Sequence, residues 1–104
     1  MKPYRLSEIT DEDLLSIFLY TIEKWGKEQV PVYLGRLDEA FTLLAENPFA
    51  ARSKSREDLA TRCRLFKVGH HLIAYRPEEG FIAIARILHE TMDFEKHVTE
   101  EYFP

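Results

Sequence analysis

Apolar residues recur with helical spacing in two segments of the first half of the chain. In residues 14–25 the apolar positions are three or four apart, which predicts an amphipathic helix with one buried stripe. Thr10 is the expected N-cap, because the acidic residues 11–13 behind it occupy the first turn, where a helix carries partial positive charge. Gly26 directly follows the pattern and is expected to end the helix. The stripe consists of Leu14, Ile17, Phe18, Ile22 and Trp25.

The second segment keeps the same period through residues 30–44 and follows the first almost without a loop. Pro31 must lie in the first turn of this helix, where its missing N–H costs little, so the helix is predicted to begin near Lys27 or Glu28. Asn47-Pro48 is expected to end it. Two amphipathic helices joined by a tight glycine turn form an antiparallel hairpin, and its apolar side needs another element to cover it.

The polar segment at residues 49–60 is predicted to be a loop. After it, apolar residues alternate with polar ones, which is the spacing of a strand. Residues 62–67 and 71–76 are predicted to be paired strands joined by a turn that contains glycine. A second turn at Pro77–Gly80 leads into Phe81–Leu88, a nearly continuous apolar run rich in isoleucine. Such a run is typical of a central strand that is buried on both faces.

These elements combine into one α+β domain that spans residues 1–104. Its order is β-α-α-β-β-β, with the helical hairpin packed on one face of a small antiparallel sheet. The stretch Tyr4-Arg5-Leu6-Ser7 is predicted to be an N-terminal edge strand that can join the three-stranded meander. Asp93 is predicted to cap a short C-terminal helix over Phe94–Thr99.

Charge is unevenly spread along a chain whose formal net charge is −4. Residues 51–76 hold seven Lys or Arg and two Asp or Glu, whereas residues 1–50 hold five and nine, and residues 77–104 hold two and seven. A protein with a negative net charge is not steered toward nucleic acid, so no direct nucleic-acid binding is expected. The basic middle segment can still meet an acidic peptide locally.

Two further features limit the class of protein. The single cysteine, Cys63, excludes an internal disulfide and a multi-cysteine zinc site, and it is expected to be buried. Its solitary state favours a reducing, cytoplasmic setting. No apolar run reaches the length of a membrane span, so no membrane partner is expected.

Three side chains near the C-terminus raise the question of a metal site. His89, Asp93 and His97 are spaced by four residues, which on a helix places nitrogen and oxygen ligands for zinc or iron on one face. Because Asp93 is better placed as the N-cap of the short helix, His89 lies outside that helix and the shared face is lost. The sequence therefore predicts no metal and no cofactor.

A basic cluster is the alternative chemical centre. Arg64, Arg76, Arg86 and His89 are residue types that can cleave RNA, with histidine as general acid–base and cations for the charge that develops on the phosphate. A histidine at a strand end is more commonly a hydrogen-bonded structural residue, and His70-His71, at a predicted turn, is expected to contact solvent. No glycine-rich phosphate loop, Walker motif or Rossmann motif accompanies the cluster.

The C-terminal tail is a third candidate. Met92, Phe94, Tyr102 and Phe103 are apolar residues in an otherwise acidic segment. They either present a docking surface for an extended peptide or a helix of a partner, or fold back and cap the core.

The order and spacing of many of these residues resemble the ParE branch of the RelE/ParE toxin superfamily, from bacterial type II toxin–antitoxin systems. The most specific combination is YT-x3-WG-x2-Q from Tyr20 together with RILH-x2-MD-x3-H from Arg86. The matching positions run through nearly the whole chain: Tyr4-Arg5-Leu6-Ser7, Asp13-Leu14, Ile17, Tyr20-Thr21, Trp25-Gly26, Gln29, Tyr33, Leu37, Phe41, Leu44-Ala45, Pro48, Arg52, Arg62, Gly69, His71, Ile73, Tyr75-Arg76, Ile84, Arg86-Ile87-Leu88-His89, Met92-Asp93 and His97.

Some positions depart from the family pattern. Thr91 stands where arginine is common, Ala74 replaces a common aromatic residue, and Pro31 occupies a position that usually holds a helix former. Ala51-Arg52 stands in place of a frequent Gly-Arg. These departures bear on toxicity more than on the fold.

The resemblance implies a toxin that binds and inhibits DNA gyrase, blocks replication and is neutralised by a cognate ParD-like antitoxin in a hetero-oligomer. It also implies action by binding rather than catalysis, because ParE-like toxins lack the catalytic residues of RelE-type relatives. Two alternatives stay open: a RelE-type ribosome-dependent mRNA endoribonuclease that uses the basic cluster, and an inactive toxin retained as an antitoxin-binding module. The residues expected to contact target or antitoxin are Arg52, Arg62, Arg64, Arg76, Arg86, His89, Met92, Asp93 and His97.

Overall fold

The computed structural model describes residues 3–104. A first strand, β1 (Tyr4–Leu6), leads into α1 (Glu8–Trp25), and a 3-10 turn at Lys27–Gln29 leads into α2 (Val30–Glu46). The helical hairpin therefore forms where the two periodic segments and Gly26 predict it. The remaining elements are β2 (Lys54–Ser55), β3 (Arg64–Val68), β4 (His71–Glu78), β5 (Phe81–His89), α3 (Phe94–His97) and a 3-10 turn at Glu100–Tyr102.

The strands form one five-stranded sheet in the order β1-β5-β4-β3-β2. The predicted meander is present as β3, β4 and β5, and the predicted N-terminal strand joins it beside β5. The sheet is mixed rather than purely antiparallel, because β1 pairs with β5 in the parallel sense. A parallel pair needs a long crossover connection, which the helical hairpin supplies. As predicted, β5 is central, and residues 82–88 within it are buried.

The first helix begins earlier than predicted. Thr10 is not its N-cap, since α1 starts at Glu8 and Ser7 precedes it in an extended conformation. The Ser7 hydroxyl donates to the Ala85 carbonyl oxygen at 2.6 Å and contacts the Thr10 hydroxyl at 2.8 Å. The polar side chains at this helix start therefore bond the sheet instead of capping the N–H groups of α1.

Several strand limits also differ from the prediction. The segment 49–60, predicted to be a loop, contains the short strand β2. Arg62 lies outside β3 and has a positive φ of 58°, while Pro77 and Glu78 belong to β4 rather than to the turn. The Arg62 guanidinium donates to the Pro77 carbonyl oxygen at 2.9 Å and to the Glu78 carboxylate at 2.7 Å, which ties down the end of β4. At the C-terminus, α3 ends at His97 rather than Thr99.

The larger core lies between the sheet and the helical hairpin. Helix α2 buries its predicted stripe, with Leu37, Phe41 and Leu44 almost inaccessible to solvent. Full burial of one such side chain is worth about 1.5–3 kcal/mol, so this stripe is a main source of stability. The sheet contributes Phe66, Val68, Ile73, Tyr75, Ile82, Ile84 and Ile87 to the same core.

Helix α1 does not bury the predicted stripe. Of the five stripe residues only Ile17 is buried, whereas Phe18, Ile22 and Trp25 are exposed and Leu14 is half-buried. The side of α1 that meets the sheet carries polar residues beside Ile17: Thr10, Asp13 and Thr21. The prediction of a single buried apolar stripe is therefore wrong for this helix.

The C-terminal tail covers the opposite face of the sheet. Phe94, Val98 and Phe103 are buried in a second, smaller core against an alanine-rich face that includes Ala83 and Ala85. Of the two alternatives for the tail, capping of the core is what the structure has. Cys63 belongs to this core and is fully buried, as predicted, and burial raises the pKa of its thiol to about 11.

Ionic contacts hold the tail in place. The Glu100 carboxylate accepts a hydrogen bond from the Thr61 backbone N–H and another from Arg76 at 2.9 Å. These contacts, that to Thr61 first, lower the pKa of Glu100 to about 2. The Arg76 guanidinium also lies 4.4 Å from the centre of the Phe103 ring.

Candidate binding site on the helical hairpin

Helix α1 presents a row of apolar side chains to solvent, on the side opposite the one packed on β5. The spacing of three or four residues brings these side chains onto one face, here called the apolar ridge. Monomeric soluble proteins rarely expose a contiguous apolar surface of this kind without a partner for it. The ridge consists of Leu15, Phe18, Leu19, Ile22 and Trp25, which are 58, 39, 56, 37 and 65% exposed.

A buried ion pair explains why the ridge faces outward. The Asp13 carboxylate accepts from Arg86 Nη2 at 2.8 Å, from Arg86 Nε at 2.9 Å and from the Ile87 backbone N–H at 3.0 Å. An ion pair that is taken out of water needs such complete hydrogen bonding to offset its desolvation. Asp13 therefore fixes the rotation of α1 about its axis and leaves the apolar ridge on the outside.

Acidic side chains border the apolar ridge. Glu8 and Asp11 lie at its N-terminal end, and Glu12 and Glu23 follow along one side of the helix. All four are exposed, and none forms an ion pair with another residue of the described chain. An apolar surface with this border is complementary to an amphipathic helix that has basic flanks.

A cleft of about 270 Å³ adjoins the C-terminal end of the ridge. It lies between the end of α1, the start of α2 and the turn that joins β3 to β4, and is here called the hairpin cleft. Trp25 belongs both to the ridge and to this cleft, so the two surfaces are continuous. The cleft is lined by Tyr20, Thr21, Trp25, Gln29, Val32, Tyr33, Arg36, Gly69, His70 and His71.

A histidine–tyrosine cluster lies beside the hairpin cleft, and its members Tyr20 and His71 line the cleft. His71 and His89 are direct partners across β4 and β5, and their ring centres lie 5.3 Å apart. The Tyr20 ring centre is 5.6 Å from that of His71 and 5.3 Å from that of His89. The expectation that His71 contacts solvent is wrong, since it is 4% exposed, whereas His70 is exposed.

Hydrogen bonds define the state of the His71 ring. The Tyr33 hydroxyl donates to the Val68 carbonyl oxygen at 2.7 Å, so its oxygen is left to accept from His71 Nδ1–H, also at 2.7 Å. Burial, with smaller contributions from His89 and His70, lowers the pKa of His71 to about 4. The ring is therefore neutral near pH 7, with Nε2 as a hydrogen-bond acceptor.

One strand irregularity prevents this cluster from being predicted from the sequence. Counting back from the turn at Glu79-Gly80 pairs His71 with Leu88 rather than with His89. A β-bulge between Ala74 and Tyr75 shifts the register by one residue. A register shift of one residue turns every later side chain to the other face, so the pairing cannot be read from the turn alone.

Comparison with known proteins identifies the family of the chain. Residues 4–94 match the family described as "ParE toxin of type II toxin-antitoxin system, parDE". Toxin ParE1 of Caulobacter vibrioides is 34% identical over 98 residues, which cover 94% of this chain and 99% of that protein. The chain belongs to the ParE toxin family.

Two further ParE toxins are similar over most of their length. Toxin ParE of Escherichia coli is 34% identical over 96 residues, which cover 89% of each chain. Toxin ParE1 of Mycobacterium tuberculosis is 31% identical over 96 residues, which cover 91% of this chain and 96% of that one. The similarity therefore extends over most of each of these relatives.

One of the two motifs that carry the ParE resemblance converges on the hairpin cleft. Within the YT-x3-WG-x2-Q motif, all the side chains except that of Gly26 line it. Gly69 has a positive φ of 58°, and a Cβ at this position would lie 2.8 Å from the Tyr33 hydroxyl oxygen, so only glycine fits there. This convergence makes the hairpin cleft, with the adjoining ridge, the candidate functional site of this ParE-family chain.

The structure does not bring the predicted basic cluster together. Arg86 is buried against Asp13, and Arg76 is held by Glu100. Arg64 donates to the Ser53 hydroxyl at 2.8 Å and stacks on Phe49. Of the four, only His89 adjoins the candidate site, through the contacts of its ring with Tyr20 and His71. Its Nδ1 lies 2.9 Å from the Thr91 hydroxyl oxygen.

The other predicted contact residues are scattered. Arg52 and Arg62 lie on loops before and after β2, and Met92 is exposed beside His89. Asp93 caps α3 through the Glu95 N–H, as predicted, and the His97 carbonyl oxygen accepts from Arg86 at 3.1 Å.

No three His, Cys, Asp or Glu side chains among residues 3–104 are grouped in a metal-binding arrangement. No helix in the same range is long and apolar enough to cross a membrane.

Proposed function

We propose that this ParE-family protein inhibits DNA gyrase and is neutralised by a ParD-like antitoxin that docks an amphipathic helix on the apolar ridge. The observation that carries the proposal is the outward-facing row of apolar side chains on α1. An exposed apolar surface of this kind needs a partner to cover it, and the antitoxin is the partner proposed here.

The chemistry of the ridge indicates what kind of helix would bind. Trp25 is 65% exposed and stands at the mouth of the hairpin cleft, where an apolar side chain of the partner can enter. Exposed aromatic residues at the centre of an interface commonly carry most of the binding energy. The acidic border, with Glu12 and Glu23, favours basic residues on the flanks of the partner helix.

The placement of the arginines argues against the ribonuclease alternative. A general acid–base needs cations beside it that are free to meet the phosphate. Here Arg86 is satisfied by Asp13, while Arg64 and Arg76 are held at other parts of the sheet. The residues expected for message cleavage do not surround His89 in this structure.

Assays with the purified protein test which target it acts on. We expect it to block supercoiling by DNA gyrase and to leave ribosome-bound messenger RNA intact. Message cleavage with unaffected gyrase would instead support the RelE-type activity. Absence of any growth defect on induction, with antitoxin binding retained, would identify an inactive binding module.

Substitutions on the ridge test the antitoxin surface. We expect Leu19→Ser together with Leu15→Ser to leave supercoiling inhibition in place and to weaken neutralisation by the ParD-like protein about thirtyfold, since two apolar anchors are lost. Phe49→Ser is the matched control, because Phe49 is 65% exposed but lies away from α1. Equal weakening by the control would remove the ridge as the docking site.

A further inference from the structure

Two histidine rings lie side by side at one end of the sheet. His71 and His89 are direct partners across β4 and β5, and their ring centres are 5.3 Å apart. On its other side His71 faces Val68 across a two-residue turn, and the Glu90 N–H donates to the His70 carbonyl oxygen at 2.8 Å. These contacts make the two histidines a non-hydrogen-bonded pair, in which opposed side chains come closest.

Each ring is held at one of its two nitrogens. His71 Nδ1–H donates to the Tyr33 hydroxyl at 2.7 Å, and His89 Nδ1 lies 2.9 Å from the Thr91 hydroxyl oxygen. Neither Nε2 atom has a hydrogen-bond partner among residues 3–104, and both are accessible to solvent. Histidines that bind a metal through one nitrogen are usually fixed by a hydrogen bond at the other.

A cavity of about 430 Å³ lies beside the pair, between α1 and the end of β5, and is here called the histidine cavity. Both histidines line it, together with Tyr20, whose ring centre is 5.6 Å from that of His71. The cation among its described lining residues is Arg86, which is neutralised by Asp13 at 2.8 Å. The histidine cavity therefore has room for an ion and its bound water, with no unpaired cation on its described wall.

We propose that His71 and His89 bind a divalent transition-metal ion such as Zn²⁺ through their Nε2 atoms, with water in the remaining positions. Neutral imidazole is a preferred ligand of such ions. An ion about 2 Å from a ring nitrogen lies about 3.2 Å from the ring centre, so two rings on one tetrahedral ion have centres about 5.2 Å apart. The observed separation of 5.3 Å agrees with this requirement.

The ring protons of the two histidines respond differently to an ion. In His71 the proton is already on Nδ1, so Nε2 is ready to bind. In His89 the proton is on Nε2, because Nδ1 accepts from the Thr91 backbone N–H at 3.2 Å. When an ion binds, this proton leaves Nε2 for solvent and another binds at Nδ1, where the Thr91 hydroxyl oxygen accepts it. Only His89 therefore changes its tautomer.

The proposed site differs from the set of ligands that the sequence suggests. His89, Asp93 and His97 are joined by helical spacing, whereas the partner of His89 in the structure comes from the neighbouring strand. Asp93 is engaged as the cap of α3. Thr91, which holds His89 in the liganded form, is a position where this chain departs from the ParE pattern, so the inference concerns this chain in particular.

Nitrogen NMR of the histidine rings tests the proposal on the full-length protein without an affinity tag. The probe is zinc chloride alone. We expect one ion per chain by calorimetry, shifts of Nε2 in both His71 and His89, and transfer of the His89 ring proton to Nδ1. The rings of His70 and His97, the other two histidines of the chain, are expected to keep their signals.

Substitutions give the matched test. His89→Ala removes a ligand and is expected to weaken zinc binding at least about tenfold, while His97→Ala and His70→Ala have little effect. Thr91→Arg removes the oxygen that accepts from His89 Nδ1–H and is also expected to weaken binding about tenfold, whereas Thr91→Ser retains it. His89 and Thr91 are not buried, and circular dichroism checks that each variant is folded.

Three results would overturn the inference: unshifted Nε2 signals at excess zinc, a shift confined to His70, or equal weakening by His89→Ala and His70→Ala. Equal binding by the Thr91→Arg and Thr91→Ser variants would remove Thr91 from the site. None of these results bears on gyrase inhibition, which the supercoiling assay measures separately.

Discussion

Helix α2 turns Leu37, Phe41 and Leu44 toward the sheet, whereas α1 turns Leu15 and Leu19 away from it. Both helices have apolar residues at helical spacing, and both lie on the same face of the sheet. The difference is that α1 is anchored by polar groups and α2 by apolar ones. Apolar residues at helical spacing therefore indicate a helix face that will be buried. They do not indicate whether the protein itself or a partner buries it.

The largest effect is expected from a substitution that removes the Asp13–Arg86 ion pair, which anchors α1 to the sheet. Asp13→Ala leaves the Arg86 guanidinium buried without its partner, and we expect a loss of about 3–5 kcal/mol in the free energy of unfolding, measured by urea denaturation. Asp13→Leu combined with Arg86→Met is expected to recover most of the loss, because no unpaired charge remains. A cost below about 1 kcal/mol for Asp13→Ala would mean that the ion pair does not set the rotation of α1.

The next effect compares the two helices directly. Leu44→Ala on α2 opens a cavity in the main core and is expected to cost about 2–5 kcal/mol of stability. Leu19→Ala on α1 removes the same atoms from an exposed side chain and is expected to change stability by no more than about 0.5 kcal/mol. Urea denaturation of the isolated protein checks both values. Similar losses for the two variants, with a midpoint that depends on protein concentration, would show that the protein buries the ridge by self-association.

The fold was predictable where a single pattern decides it. The helical spacing of apolar residues and the position of Gly26 predict the helical hairpin. The apolar run at Phe81–Leu88 predicts the central strand. The element boundaries that were predicted wrongly lie at side chains whose hydrogen-bond partners are distant in the sequence. Ser7 and Thr10 bond the backbone of β5, and Arg62 bonds the end of β4, so local helix and turn rules do not apply to them.

The site was less predictable than the fold. Tyr20, Trp25 and Tyr33 were recognised as family residues, but their meeting in one cleft depends on the angle between the helices and on Gly69. The exposure of the ridge depends on Asp13, whose partner is 73 residues away in the chain. No local pattern distinguishes this aspartate from the acidic residues that precede it.

The smallest expected effect concerns pH and the polar side of α1. Tyr20 of α1 contacts His71, whose pKa is lowered to about 4 by burial and by the neighbouring His89 and His70, against a smaller opposing effect of Glu90. The unfolded chain has the ordinary histidine pKa of about 6.5, so between these two values the unfolded state binds more protons than the folded state. Stability is therefore present in full above about pH 6.5 and falls as the pH decreases toward 4.

A variant separates the contribution of His71 to the pH dependence of stability from that of the carboxylates. His71→Asn keeps a hydrogen-bond donor for Tyr33 but does not titrate, so we expect the wild-type protein to lose about 1 kcal/mol more than the variant between about pH 6.5 and pH 5.5. Urea denaturation at the two pH values measures the difference. Parallel slopes for the two proteins would mean that His71 is accessible to protons in the folded state. In that case the inner side of α1, and not only its outer ridge, would be open to solvent.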